Sequence, residues 1–558
     1  MILNGSQIIL ECLLEQGVDT VFGYPGGAVL NIYDELYRYS DRITHVLTSH
    51  EQGASHAADG YSRTTGKTGV VIATSGPGAT NLVTGIATAY MDSIPMVAIT
   101  GNVTTSLLGL DSFQEVDITG ITMPITKHNF IVKDVTKLAD TIRQAFFIAN
   151  DGRKGPVLID VPKDITAAKC EFENASLEQH TYSVDMDELA SAAKIISAAE
   201  RPFIYAGGGV VSSGAEKELA EFAKLIDAPV SLTLMGQCAF DNTDPRYTGM
   251  LGMHGTKASS LALSECDVMV VVGSRFSDRV TCNTGSFTEL MNGKQIVHLE
   301  IDPAEINKNI EIDCRVTGDI KTALTELNKT IEKKDHNEWL DKVAAWKKEY
   351  PLCQTSENAD DVLPQYVIET LDELTDGKAI ITTEVGQHQM WAAEFYNFRA
   401  ERSFASSGGL GTMGYGLGAA IGSKVGNPDR TVVNIAGDGS FYMNMNELTT
   451  LAKYNIPVIE LVFNNTVLGM VRQWQKLFYG GRFSQTNLEK DTDFELLGKA
   501  LGVTAYTIRT KADVRLVLEK ALNSNAPVLI NCLIGKDINV LPMVPAGASI
   551  AEPILEIK

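Results

Sequence analysis

The stretch GDGSFYMNMNELTTLAKYNIPVIELVFNN, residues 437–465, constrains the fold more than any other part of the chain. Asp438 ends one short apolar run, a helical pattern of about ten residues follows, and Asn464 and Asn465 end the next apolar run. The 27 residues from Asp438 to Asn465 match one right-handed strand-helix-strand unit, which puts both side chains at the carboxyl edge of a parallel sheet. Open α/β sheets bind ligands at that edge. One carboxylate, one amide oxygen and a nearby backbone carbonyl are too few for a high-affinity all-protein metal cage. They suit Mg²⁺, which shares its octahedral shell with phosphate oxygens and water.

The same alternation of short β-branched runs and amphipathic stretches fills the chain, and predicts three doubly wound parallel-sheet α/β domains. The first spans residues 1–169, with runs at Val70 to Ala73, Met96 to Thr100 and Val157 to Val161. A polar linker (170–188) leads to a second at 189–335, with PFIYAGGG, APVSLT, DVMVVVGSR and QIVHLEIDP. A charged stretch rich in Lys, Glu and Trp (333–362) reads as a second linker, before a third domain at 363–535. The tail, 536–558, has three prolines and little periodicity; it reads either as a disordered end or as a flap that orders over a site.

Composition narrows the function classes. Forty-seven Lys and Arg against 69 Asp and Glu give a net charge of −22, a surface that repels nucleic-acid backbones and anionic lipid. No apolar run approaches the roughly 18 residues a membrane span needs, and the N-terminal stretch reads as a surface helix rather than a leader. Eight scattered cysteines with no CxxC pair suggest neither a zinc site nor a disulfide framework, so a cytoplasmic setting is expected. GYSRTTGKT (60–68) has P-loop letters with the wrong glycine spacing and with helix and strand reversed. In His50, Glu51 and His56 the second histidine comes two positions too late for HExxH, and GLGTMG (409–414) follows no clear strand.

With these surroundings, the GDG and NN pair resembles the thiamine-diphosphate enzymes, over nearly the whole chain. The resemblance implies that Asp438, Asn465 and the carbonyl of Val467 hold Mg²⁺. Gly386, Gln387 and His388 of EVGQHQMW would contact the diphosphate, together with Gly437, Gly439 and Ser440 of the GDGS turn. Gly411 and Met413 of GLGTMGYG, with Met470, would shape the cofactor's pocket, Met413 holding it bent. Glu51 of SHEQGASHAADGYSR matches the acid that shares a proton with the aminopyrimidine ring. Because that acid comes from the first domain of a second subunit, the resemblance implies a homodimer or homotetramer.

VFGYPGGAVLNIYDEL, ATSGPGATN, DSFQEVDIT, GPVLIDVPKD, MLGMHG, RFSDRV, LGMVRQWQKLFY and VLPMVPAGAS are similar, within that class, to the acetohydroxyacid (acetolactate) synthase catalytic subunits. The implied reaction decarboxylates pyruvate and joins its two-carbon unit to pyruvate or 2-oxobutyrate, in branched-chain amino-acid biosynthesis. By the same matching, Gly26 offers a backbone amide near the reacting centre, Phe113 and Gln114 line the pocket, and Lys163 stands at its entrance. Arg279 would pair with the second substrate's carboxylate, and Trp474 would pack against the extra methyl of 2-oxobutyrate. The middle domain resembles a flavin domain with FAD in a structural role. Its matching positions are Gly207, Gly208 and Gly209; Leu234 and Met235; Gly252, Met253 and His254; Gly273 and Arg275; and Val280, Glu300, Ile301 and Asp319. Arg153 adds a contact from the first domain.

Two positions depart from that pattern. Thr104, Thr105 and Ser106 stand where a proline and two arginines are common, and Gly418 replaces a common proline, which is expected to loosen its helix slightly. A flavin-linked pyruvate oxidase and an FAD-independent fermentative synthase are the alternatives. A small regulatory subunit is a possible further partner.

Overall fold

The computed structural model describes residues 1–175, 183–355, 358, 360–488 and 492–557; the middle of the first expected linker lies outside them. Three six-stranded sheets, each parallel throughout, organise the chain. In the first sheet the strands run, edge to edge, Thr44–Leu47, Thr20–Tyr24, Gly69–Ala73, Met96–Asn102, Pro156–Pro162 and His128–Ile131. In the third they run Phe404–Ala405, Ile380–Thr383, Val432–Gly437, Val458–Asn464, Val528–Leu533 and Thr504–Ile508. Both have the order 2-1-3-4-6-5 counted along their own segments, so the two domains share one topology.

The middle sheet differs. Its strands run Tyr247–Met250, Val230–Leu232, Pro202–Ala206, Val268–Val272, Gln295–Glu300 and Cys314–Thr317, the order 3-2-1-4-5-6 found in dinucleotide-binding folds. Each order has one place where consecutive crossovers diverge and leave a crevice at the strands' carboxyl ends. In the first and third sheets it lies between strands 1 and 3; in the middle sheet it lies between strands 1 and 4.

The outer domains share a core. Helix Glu51–Thr65 starts at the N-cap His50, whose Nδ1 accepts from the Gln52 N–H, and stops at the left-handed Gly66. It packs on helix Gly416–Gly426 so closely that a Cβ at Gly422 would lie 1.8 Å from the Ala57 carbonyl oxygen. Gly418 belongs to this contact, since a Cβ there would meet His56 Cβ at 2.8 Å. The expected loosening is therefore set against a closer approach of the two helices. Phe22, Leu82, Leu417, Ile421 and Phe441 form part of one hydrophobic cluster across the two domains.

Several expectations change. The GDG motif is followed by two short helices, Asp438–Asn444 and Leu448–Tyr454, joined by a 3₁₀ turn, rather than by one helix. Strand Ile2–Asn4 pairs antiparallel with Lys169–Glu171, so the first linker begins as a strand. The second linker contains helix Asn337–Glu349, whose buried Trp339 donates its indole N–H to the Pro202 carbonyl at 3.0 Å. The tail is ordered where it is described: Met543, Val544 and Ile550 are buried against the middle domain, and the Val544 N–H donates to the Met253 carbonyl at 2.7 Å.

Candidate active site

The third sheet's crevice collects the metal and diphosphate candidates. Asp438, buried where strand Val432–Gly437 turns into a helix, accepts from the Gly439 N–H at 3.0 Å and the Thr466 N–H at 2.8 Å. Asn465, one residue past strand Val458–Asn464, accepts from the Val467 N–H at 3.1 Å. The pair thus brackets the turn Thr466 to Val467, which Leu468 and Leu488 tie to a neighbouring segment by two 2.8 Å backbone bonds. Strand Ile380–Thr383 leads into Gly386, at φ 151°, and helix Gln387–Phe395. His388 lies beside Gly437, where a Cβ would come within 2.7 Å of its Nδ1. Burial pushes the imidazole down to about 3, and its Nε2 has no partner. Gln387 donates to Gln473 and to the Ile538 carbonyl, both at 2.9 Å, and its Oε1 is also unpartnered. Buried polar atoms without partners mark a place for a polar ligand, and their position beside Asp438 fits a diphosphate and its metal. Among the described residues no cluster of three or more His, Cys, Asp or Glu could hold a metal; the Asp438 set contains one carboxylate, so such a cluster was not what it required.

Glu384 was not singled out from the sequence, although it stands directly before Val385 and Gly386 at a strand's carboxyl end. Its Oε2 accepts from the Gly414 N–H and the Ser440 hydroxyl, both at 2.7 Å, and its Oε1 accepts from the Leu417 N–H at 3.2 Å. One buried carboxyl thereby joins the EVGQ, GTMGYG and GDGS segments, and burial pushes it up to about 7.

The first sheet's crevice holds a separate group. Glu51 accepts from Asn81 Nδ2 at 3.0 Å, and a Cβ at Gly26 would meet the Thr74 side chain at 2.5 Å. Gln114, at φ 58°, lies against Gly76, while Phe113 is 86% exposed. Lys163 opens the short helix Lys163–Ala167. Among the described residues, no hydrogen bond or ion pair joins Glu51, Gly26, Phe113, Gln114 or Lys163 to Asn465 or His388.

A cleft of about 1190 Å³ opens from the middle domain's crevice onto the third domain. Gly208, Gly209, Gly273 and Arg275 face it where strands Pro202–Ala206 and Val268–Val272 diverge. Gly207 packs behind them, with no room for a Cβ against the Gly273 carbonyl. Leu234, Met235, Met253, His254 and Val280 line the same space, with Gly252 behind at φ 119° against the Arg279 carbonyl. Glu300 ends the strand next to that crevice, accepts from the Ile301 and Asp302 N–H groups at 2.8 and 3.1 Å, and is pushed up to about 7 by burial. Ile301 and Asp319, the N-cap of helix Ile320–Thr330, complete that end. From the first domain Arg153 reaches in, held by Ser93 and Glu305 at 2.8 Å each.

The far end of the cleft is formed by Gly386, Gly411, Met470 and Trp474. Met470 and Trp474 share helix Gly469–Phe478; Trp474 is half-buried with its indole N–H unpartnered, so it is not a sealed core residue. Arg279 stands on the rim, its side chain 60% exposed and 3.6 Å from Asp278. Met413 is half-buried beside this end, next to Gly414.

The whole chain has relatives. Three domain models match: the N-terminal TPP binding domain of thiamine pyrophosphate enzymes over residues 3–121, the central domain over 189–327 and the C-terminal TPP binding domain over 384–532. A probable acetolactate synthase large subunit from Methanocaldococcus jannaschii is 45% identical over 99% of this chain and 96% of its own length. The acetolactate synthase large subunit of Cyanidium caldarium is 43% identical over 98% and 96%. That of Mycobacterium tuberculosis is 45% identical over 98% and 90%. The chain belongs to the acetolactate synthase large-subunit family of thiamine pyrophosphate enzymes. It is a thiamine-diphosphate-dependent enzyme, and the two domains of shared 2-1-3-4-6-5 topology are its two thiamine-pyrophosphate-binding domains. No helix among the described residues is long and apolar enough to cross a membrane.

Proposed function

We propose that the protein is the catalytic subunit of acetohydroxyacid synthase. It would take pyruvate as donor and pyruvate or 2-oxobutyrate as acceptor, with Mg²⁺ and structural FAD beside thiamine diphosphate. Bound thiamine diphosphate supplies a nucleophilic carbon and an electron sink for loss of CO₂ from a 2-oxo acid. The chain's residues do the rest. Asp438, Asn465 and the Val467 carbonyl hold the metal, and Gly386, Gln387, His388 and the GDGS turn hold the diphosphate. Glu51 exchanges a proton with the aminopyrimidine ring, while Arg279 orients the acceptor's carboxylate and Trp474 meets its alkyl group. Gly26, Phe113, Gln114 and Lys163 close the site from above.

The observation that carries the reading is the continuity of the cleft, from a dinucleotide-type crevice to Gly386, Gly411, Met470 and Trp474. That volume lies somewhat above the roughly 300–1,000 Å³ of pockets for drug-sized ligands, as a larger dinucleotide cofactor requires, and a buried carboxyl at Glu300 suits a ribose hydroxyl pair. Carboligation has no net redox step, so a flavin there acts structurally. The 86% exposure of Phe113 supports a site completed by a second copy, hence a homodimer or homotetramer. The large-subunit names of the relatives support a small regulatory partner, and the free cysteines and acidic surface support a cytoplasmic location.

Product analysis tests the proposal: purified protein is given pyruvate, thiamine diphosphate, Mg²⁺ and FAD, first alone and then with 2-oxobutyrate. Acetolactate alone and mostly acetohydroxybutyrate in the mixture support it. Acetate with peroxide, or acetaldehyde only, overturns it in favour of another enzyme of the same cofactor class.

A further inference from the structure

The flavin cleft and the thiamine-diphosphate residues have one wall in common, the loop 407–414. Its start lines the cleft from Ser407 to Gly411, and its end carries Met413 and Gly414, the latter held by Glu384. The loop has no regular secondary structure and is fixed from the first domain instead. The Gly409 and Gly408 N–H groups donate to the two carboxylate oxygens of Asp92 at 2.7 and 3.1 Å. The Thr412 and Thr88 hydroxyls lie 2.8 Å apart, and the Tyr415 hydroxyl donates to Asp59 at 2.6 Å. Arg63 joins the two acids, its Nε 2.5 Å from Asp59 Oδ1 and its Nη2 2.9 Å from Asp92 Oδ2. The side chains of Asp59, Arg63, Asp92 and Tyr415 are all buried.

Ion groups taken out of water persist only where geometry and further hydrogen bonds compensate their lost hydration. Here the further bonds come from the loop itself, so triad and loop hold each other. The middle domain presses from the other side, where a Cβ at Gly408 would lie 2.3 Å from Met235 Sδ. Met235 also lines the flavin end.

We infer that the buried Asp59–Arg63–Asp92 triad is a positioning device that couples the two cofactor sites through the loop it clamps. A ligand filling the middle-domain end of the cleft favours the loop arrangement that presents Gly411 and Met413 to thiamine diphosphate. This gives a flavin with no redox duty a defined contribution, and it rests on the reading of the cleft as the FAD site. Coupling of this kind is reciprocal, so thiamine diphosphate must tighten FAD by the same factor.

The test is a pair of titrations on the full-length protein with Mg²⁺ present: thiamine diphosphate, followed by tryptophan fluorescence, with and without saturating FAD, and the reverse. FAD binding is measured first and separately, by quenching of flavin fluorescence. The expected result is a thiamine-diphosphate Kd lowered by about 5- to 150-fold when FAD is bound. Asp92→Asn and Tyr415→Phe, which removes the hydroxyl that bonds Asp59, should each bring that ratio towards one while still binding FAD; Tyr415→Phe, the smaller change, decides the matter if Asp92→Asn does not fold. Absence of FAD binding in the unaltered protein overturns the cleft assignment. FAD binding with an unchanged thiamine-diphosphate Kd, or full coupling retained in Tyr415→Phe, overturns the inference itself.

Discussion

Replacing Glu384 by glutamine should make the protein's stability less dependent on pH, and the size of the change follows from the carboxyl's surroundings. Two effects oppose each other there: burial raises its proton affinity, while the Ser440 hydroxyl and the Gly414 and Leu417 N–H groups lower it. Burial wins, taking the group from 4.5 to about 7. In the unfolded chain the carboxyl loses its proton near 4.5; in the folded chain it keeps it to about 7. Between those values the folded state binds more protons, so stability falls as pH rises through the window and levels off above it. At about 1.4 kcal/mol per pH unit, the loss attributable to this group is on the order of 3 kcal/mol.

A neutral amide at this position carries no such charge. Glu384→Gln should therefore run parallel to the unaltered protein below pH 4.5 and gain on it steadily towards pH 7. For a cooperative unit the size of the third domain, about 3 kcal/mol corresponds to a difference of roughly 6–12 °C in its calorimetric midpoint. Scanning calorimetry of both proteins at half-unit pH steps measures the difference directly. Midpoint curves that stay parallel from pH 4.5 to 8 would falsify the argument, because they would mean that the three donors outweigh burial and Glu384 is already ionised at low pH. Glu460, buried nearby on the neighbouring strand pair and also pushed upward, is relieved of the Glu384 charge in the variant and so works in the same direction.

Other changes probe the proposed site. Asp438→Ala removes the one carboxylate of the metal set, and Mg²⁺-dependent thiamine-diphosphate binding should weaken by more than the 10- to 100-fold typical of outer-shell changes, as read by equilibrium titration. Trp474→Leu should lower the preference for 2-oxobutyrate over pyruvate by about 10-fold or more; an unchanged product ratio would remove Trp474 as the selector. Glu51→Gln should lose turnover yet still bind thiamine diphosphate. Dissociating Glu51→Gln and Asp438→Ala subunits together and letting them reassociate should restore about a quarter of normal activity, since half the dimers then pair an intact Glu51 with an intact Asp438 at one of two sites. No recovery would count against a site shared between chains.

The sequence made the chemistry more legible than the architecture around it. Asp438 and Asn465 could be placed because a strand-helix-strand crossover has few geometries, and the Gly208, Gly273 and Glu300 positions could be placed by motif. Strand order could not, because apolar periodicity shows that a strand exists and is silent on its neighbours. The difference between 2-1-3-4-6-5 and 3-2-1-4-5-6 emerged only with the structure. The helix inside the second linker went unread for a physical cause: Asn337–Glu349 buries only Trp339 and Val343 among its charged residues, too narrow a stripe to register as amphipathic.

The least legible part is the one that joins the sites. Asp59 and Arg63 stand four residues apart on a helix, where such a pair is ordinarily a solvated one worth little. What makes it otherwise lies elsewhere in the chain: Asp92 at the end of another helix, and Gly408, Gly409 and Tyr415 in a loop more than 300 residues on. Motif reading credits that loop to thiamine diphosphate and the middle domain to flavin, as independent inserts. The structure gives them a common wall, held by side chains to which the motifs assign no role. Residues that touch a ligand leave local signatures because their chemistry is fixed by the ligand. Residues that hold those residues in place need only compensate one another's burial, and that condition can be met from any distance along the chain.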